Sequence, residues 1–127
     1  MDLLKIVKPN DAWILHREEV DTLEDAVASK QYEMAVVYYQ KAIEYYPKED
    51  KYHLNEAYNN LGTAYFAMGR YQDSKEAWEK AFVLLPSDQV VKANLMEFIY
   101  TNPAVPKSVR EISPFIDKYL AKYEASC

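Results

Sequence analysis

Glycine is nearly missing from this chain: only Gly62 and Gly69 occur in 127 residues. A turn-rich β architecture needs glycine at its tight corners, so that class is disfavoured, and no glycine-rich loop exists to cradle a phosphate. Cysteine is scarcer still. Cys127 alone excludes an internal disulfide and any CxxC metal pair. The two histidines, His16 and His53, are too far apart for an HExxH or an i, i+4 pair, so no metal site is expected. No run approaches the roughly 18 apolar residues of a membrane span. Residues 1–15 are interrupted by Lys5, Lys8, Pro9, Asn10 and Asp11, which does not read as a secretory signal. A net charge of −5 lacks the basic stripe that phosphate recognition needs, so no nucleic-acid partner is expected.

What remains is half apolar and carries twelve tyrosines. That composition and length fit one all-α domain spanning 1–127, with tyrosines as amphipathic fillers between close helices. No enzyme chemistry is visible. Glu18 and Glu19, or Glu49 and Asp50, are adjacent carboxylates, and neighbours on a helix do not face each other across a substrate. No catalytic residue and no cofactor are expected, and the reducing cytoplasm is the expected compartment, whether for this chain alone or as a soluble domain of a longer protein.

The most informative stretch runs from Asn55 to Pro86. Tyr58, Leu61, Gly62 and Tyr65 stand at i, i+3, i+4 and i+7, one stripe of an α-helix. Gly62 inside that stripe costs about 1 kcal/mol relative to alanine, so a second helix must cross close enough to use the missing side chain. Ser74 and Ala81 supply the small residues of a returning helix, and Trp78 and Tyr71 fill the space around them. Gly69 suits the left-handed residue at a helix C-terminus, and Pro86 stops the second helix. The order and spacing resemble the tetratricopeptide repeat, with Tyr for Trp at 58 and Ser for Ala at 74.

The same pattern recurs upstream. Tyr32, Ala35, Tyr39, Ala42 and Pro47 match Tyr71, Ser74, Trp78, Ala81 and Pro86 at a constant offset of 39 residues. The family period is about 34, and the polar segment Lys48 to Tyr52 is the natural place for the extra length. Residues 1–10 form an N-terminal arm, 11–47 repeat one, 54–86 repeat two, 87–113 a partial repeat three and 114–125 a capping helix. Within repeat one, a helix over about 11–29 is followed by a turn at Lys30 to Tyr32. After Pro86, Ser87 or Asp88 caps a helix running to about Tyr100. A further helical stretch reaches Ile112, and Ser113-Pro114 offers a capped restart, the alternative being one helix kinked at Pro114. The resemblance implies a right-handed solenoid of antiparallel helix pairs, about two and a half to three repeats long.

The resemblance also implies a concave groove lined by the leading helices, holding a peptide or a partner helix. It places Glu56, Asn59, Asn60, Thr63 and Phe66 of repeat two there, with Asn94 and Glu97 of repeat three and Val20 and Glu24 of repeat one. Asn59 and Asn60 can each donate to and accept from a peptide backbone, or can be merely solvated. Phe66 can line the groove or pack against the next helix. Some members of the family hold a C-terminal carboxylate with two Lys, two Asn and one Arg. Here only Asn60 matches, and Val20, Glu24, Val90 and Asn94 occupy the other positions, so that ligand is not expected. Glu24, Glu56 and Glu97 favour a basic or neutral ligand instead. The function implied is a protein-interaction scaffold or adaptor. The alternative is a self-associating module that uses Tyr38, Tyr39, Tyr45 and Tyr46 or the N-terminal arm, with Tyr38 and Tyr45 lying off the core stripe.

Overall fold

The computed structural model describes the backbone of residues 25–125 and the side chains of residues 30–120. The expected N-terminal arm, most of the helix expected at 11–29, and the groove positions Val20 and Glu24 lie outside them. The described residues contain no strand.

Helix α1 (Asp25–Tyr45) buries Tyr32, Ala35, Val36, Tyr39 and Ala42 along one stripe. It runs straight through Lys30 to Tyr32, where a turn was expected. The reason lies in the offset of 39 residues: Lys30 stands where the second repeat has Gly69, whose φ is +77°. Lysine has no easy access to that conformation, so nothing breaks the helix there. Pro47 ends it, since the residue before a proline is pushed out of the helical region.

Helix α2 (Lys51–Ala67) starts on Asp50, whose carboxylate accepts from the His53 backbone N–H at 3.1 Å and meets His53 Nδ1 at 2.6 Å. The backbone bond, aided by the ring, holds the Asp50 carboxyl below its ordinary 3.8. The cap is therefore complete above that value and is lost as acid carries the group through its lowered pKa. Tyr46 at the end of α1 stacks on His53, with ring centroids 4.6 Å apart, so the same residue fastens the first inter-helix corner. At the other end Gly69 N donates to Phe66 O (3.0 Å) and Arg70 N to Tyr65 O (2.9 Å), the paired bonds that close a helix through a left-handed glycine.

Helix α3 (Tyr71–Leu84) returns antiparallel along α2, and the two are joined by polar side chains that reach across to carbonyls. Asn55 Nδ2 donates to Ala81 O (2.7 Å), Ser74 Oγ to Gly62 O (2.8 Å) and Trp78 Nε1 to Asn59 O (2.9 Å). Each of these three side chains is thus satisfied without holding the helices apart. Asn55→Ala should cost about 1 kcal/mol, because Ala81 O keeps its bond from Leu85 N and only the cross-helix bond is lost. Thermal unfolding measured beside wild type checks this.

Asp88 caps α4 (Gln89–Asn94), accepting from Val90 N and Val91 N, so the second of the two candidate caps is the one used. The helix continues as a π-helical stretch over Leu95–Tyr100. Beyond it, 101–113 is a chain of turns. The helix expected up to Ile112 is absent: Val105 N bonds to Asn102 O in one turn, Val109 N and Arg110 N bond to Pro106 O in the next, and no helical ladder continues from there to Ser113. Helix α5 (Pro114–Ala125) restarts at the proline. Its preceding Ser113 hydroxyl does not cap it but donates to Glu79 Oε1 on α3 at 2.8 Å. Tyr100 donates to the other oxygen of that buried carboxylate at 2.6 Å, which ties the end of the π stretch and the start of α5 to one point. Burial, reinforced by Glu79, raises the Tyr100 pKa and keeps it a donor.

Two cores result. The first lies between α1 and α2, where Ala35, Val36, Tyr39 and Ala42 meet Ala57, Leu61, Ala64 and Tyr65. The second gathers Trp78, Ala81 and Phe82 of α3 with Val91, Leu95 and Ile99, and with Ile116 and Leu120 of α5. Ala35, Tyr39 and Ala42 are buried as their equivalents Ser74, Trp78 and Ala81 are, so the repeated pattern is also a repeated packing pattern.

Candidate functional site

The expected groove residues sit on α2 and on α4 with its π continuation, and side-chain contacts bring these two helices together. Asn94 Nδ2 donates to Asn59 Oδ1 at 2.9 Å. The rings of Phe66 and Phe98 lie 5.5 Å apart, centroid to centroid. Asn59 is fixed from both ends, since its carbonyl accepts from Trp78 Nε1 and, at 3.1 Å, from Thr63 Oγ.

That arrangement has a chemical consequence. The Asn59–Asn94 bond uses an acceptor of one amide and a donor of the other, and the Asn59 Nδ2 donor and the Asn94 Oδ1 acceptor take no part in it. Glu56 is half-buried one turn before Asn59–Asn60, and Glu97 is exposed one turn after Asn94. Neither carboxylate makes an ion pair with a described residue. Thr63 and Phe66 are half-buried, and Phe66 also packs against Tyr71 and Trp78, with centroids 5.4 and 5.8 Å away. Its ring therefore joins the core and borders the face at once.

Asn60 differs from the rest. It is 3% exposed, neither solvated nor on the surface, and its amide nitrogen meets no acceptor among the described residues. Phe98, 43% exposed and tilted against Phe66, belongs to the face and was not foreseen there. The π turn moves residues off the 3.6-residue count, so counting along an ideal helix does not locate it.

Among the described residues no three His, Cys, Asp or Glu side chains are grouped to hold a metal ion, and no helix is long and apolar enough to cross a membrane.

Residues 56–88 match the family model of the tetratricopeptide repeat, and residues 26–49 match a second model of the same repeat. The chain is a tetratricopeptide repeat protein. The first match takes in α2 from Glu56 onward, the Gly69 turn and α3, and so includes the Ser74 and Trp78 bonds that join the two helices. No curated protein and no solved structure matches the chain significantly. Tetratricopeptide repeats mediate protein–protein interaction and scaffolding.

Proposed function

We propose that this protein is a non-catalytic cytoplasmic scaffold or adaptor, and that its right-handed stack of repeats binds a basic or neutral peptide or partner helix on the concave face shared by α2 and α4. The observation that carries this reading is the Asn59–Asn94 hydrogen bond, which links the two helices and leaves one amide donor and one amide acceptor for a peptide backbone. Glu56 and Glu97 on either side favour cationic side chains, and Thr63, Phe66 and Phe98 provide the flanking surface. Asn60 is left out of the contact set because of its burial.

Fluorescence anisotropy with basic, neutral and acidic peptides tests this. Glu56→Lys with Glu97→Lys should weaken basic peptides by about tenfold, equivalent to about 1.4 kcal/mol. Basic-peptide affinity that ignores this reversal would remove the reading. Self-association is the second reading, favoured by the exposed Met34, Val37 and Tyr45 on α1. Tyr38, expected to be exposed, is half-buried. Sedimentation velocity at two concentrations separates the readings, since a monomer throughout eliminates the second.

A further inference from the structure

A second recognition surface lies away from the Asn59–Asn94 pair. Helices α3 and α5, with Tyr58 of α2, enclose a groove of about 450 Å³. Its floor is apolar, made by Val83 and Leu84, and Phe115 on its rim is 50% exposed. Two cations border it. Lys80 Nζ stands 5.6 Å over the Tyr58 ring and Lys118 Nζ 5.3 Å over the Tyr119 ring. Among the described residues no carboxylate lines the groove, and neither lysine makes an ion pair with a described residue. Glu79, next to Lys80 in sequence, is buried and bonded to Tyr100 and Ser113, while Glu76, one turn before Lys80, and Asp117, beside Lys118, are exposed and make no ion pair with either lysine.

In a chain of net charge −5, an apolar trough whose charged lining among the described residues is two lysines is a local inversion of sign. We infer that this groove binds a short acidic peptide segment, seating one bulky apolar side chain between Leu84 and Phe115 with carboxylates against Lys80 and Lys118. The lysines already rest on aromatic faces, so their positions are partly fixed before a ligand arrives, and less side-chain freedom is lost on binding. The groove volume falls within the range of side-chain pockets. Two cations are too few for a membrane-binding cluster or a nucleic-acid stripe, and the surrounding negative charge opposes both. The surface is opposite in charge preference to the α2–α4 face, so one molecule would hold two unlike segments at once.

Lys80, Phe115 and Lys118 are exposed, so their substitution leaves both cores intact. The probe is a labelled, end-blocked peptide Glu-Asp-Leu-Phe-Asp-Glu, compared with Lys-Lys-Leu-Phe-Lys-Lys by anisotropy on the full chain. The acidic peptide should bind, more weakly as salt rises, and Lys80→Glu with Lys118→Glu should weaken it by about tenfold. Phe115→Ser should weaken it too, while Glu56→Lys with Glu97→Lys should not. The inference is overturned by equal binding of both peptides, by no acidic-peptide binding at about 1 mM, or by indifference to the lysine reversal. It is equally overturned if anionic phosphatidylserine vesicles sediment the protein while neither peptide binds. Because the two double variants alter different faces, failure here leaves the α2–α4 reading standing, and the converse also holds.

Discussion

Trp78→Ala is expected to lower the free energy of unfolding by about 3–5 kcal/mol. The indole is 2% exposed and takes part in three arrangements at once. It fills the space left by Gly62, it donates to Asn59 O, and its ring lies beside Phe66 and Phe98 at centroid distances of 5.8 and 6.3 Å. Alanine would empty that space, and the flanking rings belong to different helices that cannot all collapse into it together. Urea titration should show a lower midpoint with little change in slope, the sign of lost stability in a cooperative transition. A loss under about 1 kcal/mol would mean that the indole is not the filler described, since surface substitutions stay near ±0.5 kcal/mol.

Gly62→Leu should follow at the upper end of about 1–3 kcal/mol, for the opposite reason. A Cβ built on Gly62 would stand 2.5 Å from Trp78 Nε1 and 2.8 Å from Cγ, inside any permitted contact. The indole cannot step aside cheaply, being rigid, bonded to Asn59 and flanked by rings. Gly62→Ala is the sharper control. On an exposed helix it would stabilise by about 1 kcal/mol through helix propensity, whereas here it should destabilise. In a Trp78→Ala background the clash disappears and the same change should regain the propensity benefit, so a double-mutant cycle should give a large favourable coupling between the two substitutions. Gly62→Ala stabilising an otherwise wild-type chain would contradict the close crossing.

The α2–α3 pair was legible in the sequence because each of its requirements leaves a residue-type signature: a glycine within an apolar stripe, small residues opposite, a large ring between, and a glycine and a proline as punctuation. α1 was misread because the match of Tyr32 to Tyr71 carried the turn along with it, although Lys30 lacks the freedom of Gly69. The absent glycine was the signal available. After Pro103 and Pro106 break the preceding helix, the chain to Ile112 closes single turns in place of the expected helical stretch. Other features leave no one-dimensional trace. Asn55 and Asn60 are both asparagines on α2 and both buried, yet only Asn55 has a carbonyl of α3 within reach. Solvent, groove and interior look alike for a lone amide, so the choice among them is set by the neighbouring helix. Likewise the Glu79, Tyr100 and Ser113 cluster joins residues up to 34 positions apart whose types alone indicate nothing.

Helix α3 belongs to both halves of the molecule. Ala77 faces the first core, and its neighbour Trp78 faces the second. The period ending at Pro86 marks where a motif recurs, but it is no seam along which the protein can be divided. A truncation there would strip α3 of its outer partner, baring Trp78, Ala81 and Phe82 as one greasy strip, and would orphan the Glu79 carboxylate as well. What looks like a trailing appendage is therefore the cover over the outer side of α3.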